Sequence, residues 1–227
     1  MRARGAWALA ALAALPSLSG CATLFGLGLR PPDAGRVCAG PLVPSQQLPQ
    51  DLLLRAQVQL RAPGGDWKLT LVARTRDGAL TLVGLDGFGA RLFALTQRGV
   101  ELSLERSFGR ALPWPPQNLL RDLHAIRFLA LPGAPLPEGT HRGRVADAPI
   151  EERWVAGRLA QRAVASPGGG ARAIEWRSDG RGLELENAGC GYAASYLVLE
   201  ERGPGPPLGG PGPRITSRLR PGRSRRG

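Results

Sequence analysis

Residues 67–104 read WKLTLVARTRDGALTLVGLDGFGARLFALTQRGVELSL, and the fold is decided in this stretch. Trp67, Leu69, Leu71 and Ala73 recur at every second position, the period at which a strand sends alternate side chains to one face. Asp77-Gly78 then interrupts, a pair that tolerates the positive φ angles of a two-residue hairpin turn. Leu80 and Leu82 resume the alternation, Asp86-Gly87-Phe88-Gly89 breaks it, and Arg91 to Leu95 form a fourth strand. Its inward face is either Leu92 and Ala94 or Phe93 and Leu95. Arg98-Gly99 turns into Val100, Leu102 and Leu104. Upstream, Leu54, Ala56, Val58 and Leu60 make a first strand that ends at the turn Pro63-Gly64-Gly65-Asp66. Five strands about 10–13 residues apart, joined by short turns, predict an antiparallel meander.

Downstream the period changes. Pro113, Pro115 and Pro116 open a new element, because proline is tolerated at a helix start, and Leu119, Leu120, Leu123, Ile126 and Leu129 carry helical spacing over 116–130. A proline-bearing connection, 132–149, follows. Strand-like segments then return at Glu152–Arg158, Leu159–Ala165, Ala171–Arg177, Leu183–Glu186 and Tyr192–Glu200, with turns at Ser178-Asp179-Gly180 and Asn187-Ala188-Gly189. A chain ordered strands, helix, strands predicts a mainly β (α+β) fold, a curled antiparallel sheet that forms an incomplete barrel under a helical lid. Trp67, Phe93, Trp114, Phe128, Trp154 and Trp176 either line an apolar cavity inside it or pack as plain core, the commoner fate of buried aromatics.

The amino terminus reads as an address. Arg2 and Arg4 precede an apolar run, Ala6 to Leu15, closed by Pro16 and followed by Leu18-Ser19-Gly20-Cys21. These four residues resemble the bacterial lipobox, in which the cysteine sulfur takes a diacylglyceryl group before cleavage on its amino side. Residues 1–20 are then a lipoprotein signal peptide and Cys21 carries the lipid (palmitate and similar acyl chains), with two or more chains giving a stable anchor. Ala22 after the cysteine fits sorting to the outer membrane, on its periplasmic face, with inner-membrane retention as the alternative. Residues 21–50, with Pro31, Pro32, Pro41, Pro44 and Pro49, read as a lipidated tether, residues 51–201 as the folded body, and residues 202–227 as a disordered basic tail. With Cys21 lipidated, Cys38 and Cys190 form an even pair in an oxidising compartment, which favours a disulfide over two buried thiols.

The strand order and the phrase Leu82-Val83-Gly84-Leu85-Asp86-Gly87-Phe88-Gly89-Ala90-Arg91-Leu92-Phe93 resemble the outer-membrane lipoprotein receptor LolB and its relatives. The likeness is greatest to LolB-like lipoproteins of unknown function associated with aryl-polyene or fatty-acid gene clusters. It spans roughly residues 50–200, and the proline-rich lead and arginine tail depart from it. The resemblance implies an apolar cavity that holds acyl chains, and a lipid or lipoprotein cargo. It also implies that Phe88, between Gly87 and Gly89 on a flexible hairpin tip, contacts the membrane.

Catalytic and metal patterns are absent from the sequence. His124 and His141 lie far apart, Asp122 is two residues from His124, and Gly168-Gly169-Gly170 lacks the lysine of a phosphate cradle. Glu151-Glu152 and Glu200-Glu201 diverge on a strand. No enzyme, metal or cofactor is expected beyond the lipid on Cys21. Two classes of function remain: lipid or lipoprotein handling in a cavity, or a structural accessory of an envelope complex or exporter.

The net charge of +12 suggests nucleic acid at first. Residues 21–201 nevertheless hold 21 basic and all 18 acidic residues, so the excess sits in the leader and tail. An exported protein meets little nucleic acid, and the tail is expected to touch anionic lipid. Only one of the 30 basic residues is a lysine, Lys68.

Overall fold

The alternation over the first half folds into five strands: β1 (Leu53–Ala62), β2 (Gly65–Arg76), β3 (Ala79–Leu85), β4 (Arg91–Arg98) and β5 (Glu101–Arg106). The computed structural model describes residues 36–62, 65–106, 112, 114–166 and 170–204; Leu18, Ser19, Gly20, Cys21 and residues 205–227 of the tail lie outside them. Asp77 and Gly78 link β2 to β3 with φ of 52° and 71°, a turn whose twist matches its strands. The inward face of β4 is Phe93 and Leu95, both fully buried. Gly84 makes that choice possible. It faces Phe93 across the β3–β4 ladder, and a Cβ there would sit 2.1 Å from the ring.

Pro116 is the first residue of α1 (Pro116–Leu123), which relaxes into a π turn over His124–Phe128, so the helical segment stops two residues short of 130. Six strands follow: β6 (Gly139–Val145), β7 (Ala148–Val155), β8 (Arg158–Ser166), β9 (Gly170–Trp176), β10 (Gly182–Asn187) and β11 (Tyr192–Arg202). The expected connection over 132–149 is therefore corrected, because it contains β6 and the start of β7. β6 hid because Val145 is the one apolar side chain among its inward positions. Gly143 leaves its place to Leu131, whose Cδ2 would stand 2.8 Å from a Cβ there. The β6–β7 turn is Ala146-Asp147, both at positive φ, without the glycine that marks such turns. The strand expected at 152–158 shifts likewise to β7, with its turn at Ala156-Gly157.

All pairings are antiparallel, in the order β5-β4-β3-β2-β1-β11-β10-β9-β8-β7-β6. The sheet is a mainly β, eleven-stranded antiparallel sheet that does not close into a barrel. β1 and β11 join two meanders at its centre, and β5 and β6 are its edges. The segment from β5 to β6 thus runs from one edge to the other, carrying α1 against the inner face. Leu119, Leu120, Leu123 and Ile126 are buried there in one cluster with Leu54, Leu71, Leu82, Ile150, Leu183 and Leu185. Each such side chain contributes about 1.5–3 kcal/mol by leaving water.

The proline-rich lead is not a free tether where it is described. Cys38 is disulfide-bonded to Cys190, and its N–H donates to Asn118 Oδ1 (2.8 Å). Arg121 donates to the Gly40 carbonyl (3.0 Å), and the Ser45 N–H donates to the Gly99 carbonyl (2.9 Å). The packed body therefore begins well before residue 51.

Candidate functional site

Charged residues lie in phase with the inward apolar positions of the second meander. Arg172 shares the inner face of β9 with Ile174 and Trp176, and it is 1% exposed. Its Nε donates to Asp122 Oδ1 of α1 (2.8 Å), and its Nη1 donates to the Ala39 carbonyl (3.1 Å) and Ser166 Oγ (2.9 Å). The Tyr192 hydroxyl donates to Asp122 Oδ2 (2.5 Å). Burial pushes the Asp122 carboxyl up, against the pull of Arg172 and its hydrogen bonds, and lifts the Tyr192 phenol well above its usual value.

A second ion pair lies one strand on. Glu152 Oε1 accepts from Arg162 Nε (2.8 Å) and Nη2 (2.7 Å), while its Oε2 accepts from Trp154 Nε1 (3.0 Å). Arg162 Nη1 reaches the carbonyls of Ala125 (2.8 Å) and Ile126 (3.0 Å), oxygens that a helix end leaves without an intrahelical donor. The guanidinium also lies 5.5 Å from the Trp176 ring centroid.

His124 is the third contact. Its Nδ1 accepts from the Val43 N–H (3.2 Å), so the neutral ring carries its proton on Nε2 and donates to Gln97 Oε1 (2.8 Å). Gln97 Nε2 in turn donates to the carbonyls of Val43 (2.8 Å) and Gly99 (2.7 Å). Burial, then the charge of Arg121, pulls the imidazole down to about 3. These groups are sealed from solvent, and what they do chemically is hold α1, the lead and the sheet together. Among the described residues, no group of three or more His, Cys, Asp or Glu side chains is placed to hold a metal. His141 stands apart from His124, bonded to the Pro137 carbonyl (2.9 Å).

Little space is left beneath α1 among the described residues. The void between α1 and the sheet, bounded by Leu54, Leu71, Leu123, Ile126 and Leu183, is about 10 Å³, near the least volume that admits one water. The six aromatics all lie in or against the core. Phe93 meets Trp114 edge to face at 5.7 Å, and Phe128 meets His124 at 5.1 Å. Trp154 and Trp176 serve the buried arginine cluster, and Trp67 packs half-buried on the core.

Two larger hollows open on the outer face. One, about 1010 Å³, spans β7 to β11; Ala163, Ala173 and Ala193 line it with Glu175, Glu184 and Glu186. Glu175 stands directly opposite Glu184 in the β9–β10 ladder. The other, about 550 Å³, lies over β1, β2 and β11, lined by Gln57, Gln59, Lys68, Thr70, Arg177 and Leu197. Gly87 closes it from above.

Gly87 belongs to the β3–β4 tip, where Phe88 is 100% exposed. The tip is held and not loose, a correction to the flexible loop expected from its glycines. Asp86 Oδ1 accepts from the N–H groups of Phe88 and Ala90 (2.9 Å each), the Asp86 N–H donates to the Ala90 carbonyl (2.9 Å), and Gly89 supplies φ of +84°. Of the residues singled out in the sequence, the structure joins Cys38 to Cys190 and sets Phe88 next to Gly87, which lines the same groove as Lys68. Sequence reasoning missed Arg172, Glu152 and Arg162. Their signal was a charge in step with apolar neighbours two residues away.

Residues 53–186 match the model of a family described as a protein of unknown function, DUF3261. No curated protein matches the chain. Among solved structures, a crystal structure of a DUF1329 family protein from Desulfovibrio piger is similar over 69% of this chain and 87% of that one, at 11% identity and a TM-score of 0.31.

Proposed function

The chain belongs to the DUF3261 family, and from that premise we propose that it is a membrane-anchored envelope lipoprotein that meets a lipid surface through Phe88. The observation that carries this reading is the Phe88 ring, wholly in solvent on a tip stiffened by Asp86. A soluble body gains nothing from such a ring. A bilayer interface offers it an apolar phase without a conformational cost. In the same reading Cys21 carries the lipid, the protein sits on the periplasmic face of the outer membrane, and the arginine tail adds attraction to anionic head groups. The handled material is a lipid or a lipoprotein acyl chain. Nucleic acid and catalysis have no part in it.

The small void beneath α1 sets a condition on cargo. An acyl chain enters only if α1 lifts from the sheet, against its buried ion pairs. A packed core suits a second reading better, a non-enzymatic accessory of an envelope complex or exporter that uses its outer surface. Vesicle co-sedimentation tests the first reading. Phe88→Ala should bind zwitterionic vesicles several-fold more weakly while its thermal midpoint stays unchanged; equal binding overturns the membrane role. Native mass spectrometry after mild extraction distinguishes the readings on cargo, since bound acyl chains favour handling and an empty body favours the accessory.

A further inference from the structure

We propose that the groove beneath the Phe88 tip is a docking site for the phosphate head group of an anionic lipid in the membrane surface. This inference deepens the proposed function and rests on Phe88 meeting a bilayer. The groove, about 550 Å³, is of the size that takes small polar ligands. Its lining holds two cations, Lys68 and Arg177, two amides, Gln57 and Gln59, the Thr70 hydroxyl, and no carboxylate. Arg177 is tied to Glu184 (2.5 Å), which Arg61 also approaches (3.7 Å), so that carboxylate is shared between two arginines and the cluster stays positive. Lys68 has no ion pair or hydrogen bond among the described residues.

Register places these groups together. Lys68 faces Gln59 across the β1–β2 ladder, and Gln59 faces Ser195 of β11; Thr70 faces Gln57, which faces Leu197. Two parallel rows, Lys68-Gln59-Ser195 and Thr70-Gln57-Leu197, thus run across the sheet, with five polar side chains in the groove that Gly87 also lines. A ring that enters the interface at Phe88 brings the plane of the phosphates to the groove next to it. Lipid phosphate sits at that depth in any bilayer. Charge complementarity then selects lipids of net negative charge, since a zwitterionic head group brings its own cation to a site that already has two.

Lys68 is the only lysine of the chain, so an amine-acetylating reagent reads this one side chain apart from a free chain terminus. The full-length protein is treated with the reagent alone, with phosphatidylcholine vesicles, with vesicles containing phosphatidylglycerol, and with soluble glycerol phosphate. Acetylation is then located by peptide mass spectrometry. The expected result is about fivefold or greater slowing of Lys68 acetylation on phosphatidylglycerol vesicles only, the scale of one head-group contact per basic residue. Unchanged reactivity in protein that sediments with those vesicles overturns the proposal, because the tail then holds the protein and the groove stays empty. Protection by glycerol phosphate alone overturns it too, since the site would then serve a free small anion. Lys68→Gln should bind phosphatidylglycerol vesicles about fivefold more weakly and phosphatidylcholine vesicles unchanged. Arg144→Gln, an equal loss of charge on the far edge strand, should leave both within twofold; equal losses for the two variants overturn a specific site. If Phe88→Ala keeps its binding to phosphatidylcholine while Lys68 is still protected, the membrane reading of Phe88 fails and the groove survives. The reverse pattern fails the groove alone.

Discussion

The inner face of β1–β5 is hydrocarbon from Leu54 to Leu95, with Thr75 and Gln97 as buried polar groups close to strand ends, whereas β6–β11 bury Glu152, Arg162, Arg172 and Asn187 among Ile150, Val164, Ile174 and Leu185. Both meanders face the same helical segment. The first offers it a mainly apolar surface with one directional contact, Gln97 Oε1 accepting from His124; the second gives it hydrogen bonds at Asp122, Ala125 and Ile126. Hydrophobic burial sets that α1 lies on the sheet, and directional contacts set where it stops. Both halves bury hydrocarbon, and the charged half adds most of the latch on the lid.

The largest test of this contrast is Arg162→Ala. It strands Glu152 as a buried, unpaired charge and should cost about 3–5 kcal/mol by urea denaturation. Leu82→Ala in the other half should cost about 2–5 kcal/mol, through lost burial and a cavity. The halves separate in the double variant. Glu152→Leu with Arg162→Leu should recover most of the loss, since an apolar replacement of a buried pair is commonly neutral. If the double variant remains as unstable as the single one, the contacts to Ala125 and Ile126 matter more than the pair itself.

Acid should open the contacts of α1 through His124. Below its ordinary value of 6.5 the unfolded chain binds a proton that the folded imidazole, held near 3, refuses. Stability therefore falls as pH drops through that window, by about 1.4 kcal/mol per pH unit once the unfolded imidazole is charged. Asp122 acts in the opposite sense above 3.8, because its raised carboxyl keeps a proton that the unfolded chain has lost. The difference between wild type and His124→Gln in pH-dependent melting isolates the histidine, and an unchanged slope would show that another group carries the effect.

Smaller changes probe each half separately. Gly84→Ala should cost about 1–3 kcal/mol, because Phe93 already fills the space a methyl needs. Glu175→Gln on the outer face should raise stability by about 0.2–1 kcal/mol, since it removes a carboxylate directly opposite Glu184. A loss at Glu175 would mean that the acidic row is balanced by charges the ladder alone does not reveal.

The same contrast explains what could be read from the chain. The strands of the first meander followed from period-two alternation, because most inward positions there are hydrocarbon. β6 escaped because only Val145 among its inward positions is apolar, His141 and Gly143 taking the others while Leu131 fills the gap from elsewhere. The buried arginines escaped because a charge ordinarily reads as solvent-facing, and only a partner distant in sequence, such as Asp122 for Arg172, makes it tolerable inside. For the candidate site, Phe88 was visible from its glycines. The groove beside it was not, because Lys68, Arg177 and Leu197 come from three strands or strand ends with no local pattern.

The sequence by itself determined the antiparallel β class, the helix between two runs of strands and the candidate lipid and membrane residues, since these depend on near-neighbour periodicity and short motifs. Tertiary structure alone decided that β1 pairs with β11, that the sheet stays open, that the void under Leu123 and Ile126 is about 10 Å³, and that Lys68 and Gly87 line one groove. Those outcomes depend on register between segments far apart in the chain and on whether side-chain volumes happen to fill the space between them. Neither is written in any local stretch of residues.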